Sequence, residues 1–181
     1  MMKARSITYA AGQEYVVFAA DQQLFKVAAH IIWENPQNYG DIILRLGGMH
    51  FIMNIIGCIG TLALDSGLFN ILSSAFAGVE KMMQGKKYPQ NFRALVLLTE
   101  ELLQPILHPD SSQGLIISSM GELQRHLDDL GTRSRTAKFW IDVVIRPILL
   151  CMKYTRAERE GNVIFLIVAN SIIICNIFDL V

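Results

Sequence analysis

The stretch that most constrains the fold is Ile42 to Leu68, IILRLGGMHFIMNIIGCIGTLALDSGL. A short apolar run, Ile42–Leu46, is interrupted only by Arg45, and two glycines follow at 47 and 48. From Met49 to Leu64 the strongly polar residues are His50 and Asn54. A strand that feeds a glycine turn and then a buried helix is the structure this pattern predicts. Gly57 and Gly60 each weaken that helix by about 1 kcal/mol relative to alanine, which leads one to expect another backbone packed close to it. The stretch says where a core and a site should lie without naming a function.

Upstream, residues 1–14 read as a flexible N-terminus. Lys3 and Arg5 are present, but no apolar region of a secretory leader precedes Glu14. Tyr15–Ala20 is a β-branched and aromatic run that ends at Asp21, a buried strand delivering a carboxylate. Gln22–Glu34 carries Leu24, Val27, Ala28, Ile31 and Ile32 at helical spacing. Asn35-Pro36 stops that helix, since the residue before proline is pushed out of the α region, and residues 35–41 form a loop before the second strand. Strand, helix, strand is the minimal unit of a parallel sheet.

Downstream the signals are helical. Asp65 or Ser66 is a candidate N-cap for a helix over Leu68–Phe76, and Val79–Gln84 reads as one more short helix. Asn91–Gln104 is a helix with Glu100 and Glu101 on its solvated edge, ended by Pro105 and Pro109, and Asp110–Gly114 is a loop. Ile116–Leu130 is amphipathic, with Ser118 or Ser119 as its cap and Glu122 three residues after Ser119. Gly131–Thr136 is a basic turn. Ala137–Tyr154 is a helix that Pro147 kinks, and the charged segment Thr155–Asn162 ends in a Gly-Asn stop. Val163–Val181 differs from everything before it, with Asn170, Ser171, Asn176 and Asp179 as its polar residues. The fold class is therefore α/β and helix-dominated, with two short parallel strands and many α-helices.

Composition excludes several function classes. Sixteen basic and sixteen acidic residues cancel, which removes the simplest argument for nucleic acid, because phosphate binding shows as a basic excess. The small basic clusters Lys86-Lys87 and Arg133–Lys138 read as solvated surface. Cys58, Cys151 and Cys175 stand singly in apolar surroundings, as reduced thiols of an intracellular protein do. Sequence motifs for a serine hydrolase, a P-loop, a dinucleotide fold or a zinc protease are absent from the chain. His126 with Asp128 and Asp129 reads as a helix surface, and Met82-Met83 and Phe51–Met53 as core.

Asp21 and His50 are the candidate site residues. Each follows an apolar strand, so in a parallel sheet both lie at the carboxyl edge, where α/β sites form. A strand-end aspartate there can join other carboxylates in holding a divalent metal, or it can cap the next helix. His50 can serve a site or simply start its helix. Asp41 and Asp65 have no spacing that brings them to Asp21.

A wider pattern gives these residues a family context. Asp21-Gln22-Gln23-Leu24-Phe25-Lys26-Val27-Ala28, Arg45-Leu46-Gly47-Gly48-Met49-His50-Phe51-Ile52-Met53, Gly57-Cys58-Ile59-Gly60 and Ser66-Gly67-Leu68 together resemble a family of uncharacterised animal proteins of transposon origin. A second block, Phe139-Trp140-Ile141-Asp142 and Arg156-Ala157-Glu158-Arg159-Glu160-Gly161-Asn162, agrees. Looser relatives resemble cut-and-paste (DDE-type) transposases with an RNase H-like core, which perform metal-dependent DNA strand transfer. The resemblance spans residues 15–162 and implies a partial RNase H-like helical domain there. It gives Asp21 the role of a catalytic, metal-binding carboxylate and His50 that of the histidine of the second element. Nucleic acid as a partner has only this support.

Met49 replaces an aromatic residue of the pattern, and the apolar tail replaces a polar helical segment. An upstream catalytic carboxylate has no counterpart. The expectation is a non-catalytic fragment of a larger protein, with no cofactor beyond Mg2+ at a vestigial Asp21 site, and with exposed sheet edges. Two other function classes compete. Residues 163–181 as a helix span about 28 Å, near the roughly 30 Å of a bilayer core, which makes them a candidate C-terminal transmembrane anchor; Leu46–Leu64 is a lesser candidate. The alternative is a protein-interaction module using the helical faces between Asn91 and Tyr154. Localisation follows as nuclear or cytoplasmic, or as membrane-anchored through the tail.

Overall fold

A computed structural model describes residues 2–79, 88–107, 119–166 and 168–169. The helix expected over Val79–Gln84, the loop Asp110–Gly114 and most of the apolar tail therefore lie outside the described residues. The chain forms two compact units, one combining Met1–Phe51 with Tyr154–Val181 and the other comprising Ile52–Lys153.

The first unit is built on two strands. β1 (Val16–Ala20) runs parallel to β2 (Ile42–Leu46) in the register Val16↔Ile42 to Ala20↔Leu46. Parallel strands cannot be joined by a tight turn, and the crossover here is α2 (Gln22–Glu34), which packs on both strands and buries Ala28 and Ala29. The sequence boundaries of α2 and β2 coincide with the observed ones. Asn35 ends α2 as predicted, but the following residues are not all loop: Pro36–Tyr39 form one turn of helix, α3. Proline at the first helical position needs no hydrogen-bond partner for its nitrogen and has its φ already set.

Residues Met2–Ala10, predicted as a flexible terminus, form helix α1. Long-range bonds tie it down. Arg5 Nε donates to Asp41 Oδ2 at 2.7 Å, Arg5 Nη1 to the Asn38 carbonyl at 2.9 Å, and Tyr9 Oη to Asp41 Oδ2 at 2.8 Å. Burial pushes the Asp41 carboxyl up, but the bonds from Tyr9, from backbone and from Arg5 outweigh it and hold the group below the usual carboxylate range.

The unit closes with the last turns of the helix that ends at Glu160. Tyr154 is fully buried and stacks on Phe51, with ring centroids 4.1 Å apart and planes 19° from parallel. Beyond Glu160, Gly161 takes φ +68° and the Asn162 N–H reaches back to the Ala157 carbonyl at 2.9 Å. This is the Schellman arrangement, and it explains why a Gly-Asn pair stops the helix.

The second unit is helical. It holds most of α4 (Gly48–Leu62), then α5 (Leu68–Ala75), α6 (Tyr88–Leu107), α7 (Met120–Arg133) and α8 (Arg135–Trp140). A π-helical segment at Ile141–Ile145 leads into α9 (Arg146–Glu160). Leu103, Leu123, Leu127, Ile141 and Ile145 form a buried cluster, fed by one stripe each of α6, α7 and the π segment. α7 starts at Ser119, whose hydroxyl accepts from the Glu122 N–H at 3.2 Å, as the capping signal predicted.

Four local readings need correction. Gly57 has open space where a Cβ would sit, so no second backbone requires that glycine. The residue ahead of α5 is Gly67, with no side-chain cap, although Ser66 Oγ accepts from the Leu68 N–H at 3.3 Å. Pro105 lies inside α6 rather than ending it, in the last turn of a helix that runs on to Leu107. The basic turn shrinks to Ser134 between α7 and α8. The Pro147 kink takes the form of the π segment, in which the Arg146 N–H reaches the Ile141 carbonyl and widens the turn ahead of the proline. Among the described residues no helix is long and apolar enough to cross a membrane.

Candidate functional site

Asp21 stands directly after β1 and His50 in the first turn of α4, directly after β2 and its glycine turn. The parallel register sets Ala20 beside Leu46, and the Gly47 N–H donates to the Ala20 carbonyl at 2.8 Å. Both residues consequently reach the same end of the sheet. They line one solvent-open cavity of about 430 Å³ together with Gln22, Gln23 and Lys26. The three added residues were missed in the sequence reading, although they occupy the first turns of the helix that Asp21 opens.

Asp21 caps that helix. Its Oδ1 accepts from the Leu24 N–H at 2.9 Å, satisfying one of the free amides of α2. Asp41 precedes β2 and so lies at the opposite end of the sheet, held by Arg5 and Tyr9. Asp65 lies in the turn that follows α4.

A fourth carboxylate, quoted in the sequence only within the second block of the resemblance, was given no role there. Glu158, on α9, pairs with Arg45 of β2 and packs against Gly48, where a Cβ would collide with its carboxylate. Arg45 also donates to Tyr154 Oη, from Nε at 3.3 Å and from Nη2 at 3.0 Å, with its guanidinium 5.8 Å from the ring centroid. Glu158 thus places a negative charge at the N-terminus of α4, where the helix dipole favours one. The signal for this cluster was Arg45 itself, a cation in an apolar strand that needs a partner when buried.

The cavity does not fit a divalent metal. It offers one carboxylate, already used as a cap, beside the Lys26 ammonium. Among the described residues there is no group of three His, Cys, Asp or Glu side chains placed to share an ion. What the lining can do is hydrogen-bond: its residues carry two amides, an imidazole, an ammonium and a carboxylate.

Fold and site together define a helix-dominated α/β protein with a two-stranded parallel sheet and a polar cavity at the carboxyl ends of its strands. The chain belongs to the family described as a domain of unknown function, DUF8702, whose model matches residues 1–113. That span contains both strands and every residue lining the cavity, and excludes Tyr154 and Glu158. No curated protein and no solved structure matches the chain.

Proposed function

We propose that this chain is a non-catalytic protein of transposon origin, in which an RNase H-like strand–helix–strand unit persists as a scaffold for binding. The observation that carries the reading is the state of Asp21. Phosphoryl transfer by two metal ions needs several carboxylates around the strand-end aspartate. Here that aspartate caps α2, and it is the one carboxylate among the residues that line its cavity. The parallel register and the strand-end position of Asp21 and His50 are what an RNase H-like ancestry leads one to expect. The test is incubation of the purified chain with supercoiled DNA and Mg2+ or Mn2+. No nicking above a metal-free control is expected, and metal-dependent nicking that disappears in Asp21→Ala overturns the reading.

A second reading, from the apolar run at 163–181, is a membrane anchor. Membrane association that resists carbonate and is lost on deleting residues 163–181 supports it, and a full-length chain that stays in the supernatant sinks it.

A further inference from the structure

The parallel ladder engages only one side of β1. Val16 donates to the Asp41 carbonyl at 2.9 Å and Ala20 accepts from the Gly47 N–H at 2.8 Å, so the even-numbered residues of β1 turn their backbone groups toward β2. Alternate residues of a strand bond to the same neighbour, which leaves the amides and carbonyls of Val17 and Ala19 directed at the opposite edge. Among the described residues the sheet has two strands, and neither Val17 nor Ala19 makes a backbone hydrogen bond outside the ladder. The side chains there are apolar and open: Tyr15 is 57% exposed, Val17 45%, and Ala19 exposed. The devices that usually guard an edge, a lysine, a proline or a bulge, do not occur between Tyr15 and Ala20.

We propose that this edge pairs with the same edge of a second copy of the chain, antiparallel about a two-fold axis through Val17, to give a four-stranded sheet. The strand is complementary to itself in that register, as a two-fold contact requires. Val17 meets its own copy, and Tyr15 meets Ala19 of the second copy, large against small and apolar against apolar. The outward-facing backbone groups of 15, 17 and 19 all fall in hydrogen-bonded pairs. The flanking carboxylates avoid each other, with Glu14 opposite Ala20 and Asp21 opposite Gln13. This contact is independent of whether the cavity ever supported catalysis.

Sedimentation velocity of the full chain over a concentration series is the test, and a reversible monomer–dimer equilibrium is expected. Val17→Lys sets two ammonium groups against each other at the axis and should weaken the dimer by about fivefold. Mixing Val17→Lys with Val17→Glu should restore it. Ala19→Pro removes an outward N–H without touching the ladder to β2 and should also weaken the dimer. The register has its own readout. Paired residues at the axis have Cα atoms about 5.5 Å apart, within disulfide reach, so Val17→Cys should oxidise to a covalent dimer that the wild-type chain does not form. A wild-type chain that stays monomeric throughout, or a dimer unchanged by Val17→Lys, overturns the proposal. Circular dichroism checks each variant's helical signal, and if the Lys or Pro variant loses it, the cysteine variant decides alone.

Discussion

In the unit built on β1 and β2, residues far apart in the chain meet through polar side chains. Arg45 joins Tyr154 and Glu158, and Arg5 and Tyr9 join Asp41. In the unit Ile52–Lys153 that work falls to Leu103, Leu123, Leu127, Ile141 and Ile145, while its ion pairs run mainly along single helical faces, such as Asp129 with Arg133 and Lys138 with Asp142. Arg146 is the exception, bonding both Asp142 and Asp128. A two-stranded sheet offers little apolar area, so it depends on a few particular partners. A helical cluster depends on volume, and most apolar residues of the right size would serve it.

The comparison is most easily broken from the helical side. Leu127→Ala empties a fully buried position in the cluster and should cost about 2–5 kcal/mol in urea denaturation. An isosteric change to methionine should cost under about 1.5 kcal/mol. On the sheet side, Gly48→Ala puts a methyl group where the Glu158 carboxylate lies, and moving that flexible side chain off Arg45 should cost about 1 kcal/mol. Combining it with Glu158→Ala should cost less than the two single changes together, because the obstacle is gone. Strict additivity would show that the pair does not touch.

Asp21→Ala should cost about 1 kcal/mol through loss of the α2 cap, whereas Asp21→Asn should be nearly neutral. A large loss in both variants would mean that the carboxylate does something beyond capping. The α1 anchor should respond to acid. Because the folded-state value of Asp41 lies below the unfolded one, its stabilisation is present above the ordinary carboxylate range and is lost as pH falls through the lower folded value. Hydrogen exchange within α1 should rise there, and Asp41→Asn should leave α1 exchange fast at every pH. The smallest effect belongs to Asp129→Asn, whose exposed pair with Arg133 should be worth no more than about 0.5 kcal/mol.

Of the candidate site, the shared position of Asp21 and His50 was legible. A parallel strand–helix–strand unit puts everything that follows a strand at one edge, so Asp21 and His50 could be assigned to the same place before their cavity was seen. The bounds of α2 and β2 were legible because hydrophobic period and an Asn-Pro break are local signals. Glu158 was not, since in the sequence it is one charge among several in a solvated segment. Only its meeting with Arg45 and Gly48, more than a hundred residues away in sequence, distinguishes it. The π segment ahead of Pro147 was half legible: proline announces a disturbance, but the buried Ile141, Val144 and Ile145 around it determine the form that disturbance takes.

By itself the sequence determined the periodicities, hence two strands, their crossover helix, the stripes of α6 and α7, and the caps at Asp21 and Ser119. Those depend on residues within a turn or two of each other. Tertiary structure alone decided that α1 is held at Asp41 and that Glu158 sits at the head of α4 beside Arg45. Each of these rests on a charge finding its partner across the fold, and pattern along the chain carries no record of that distance.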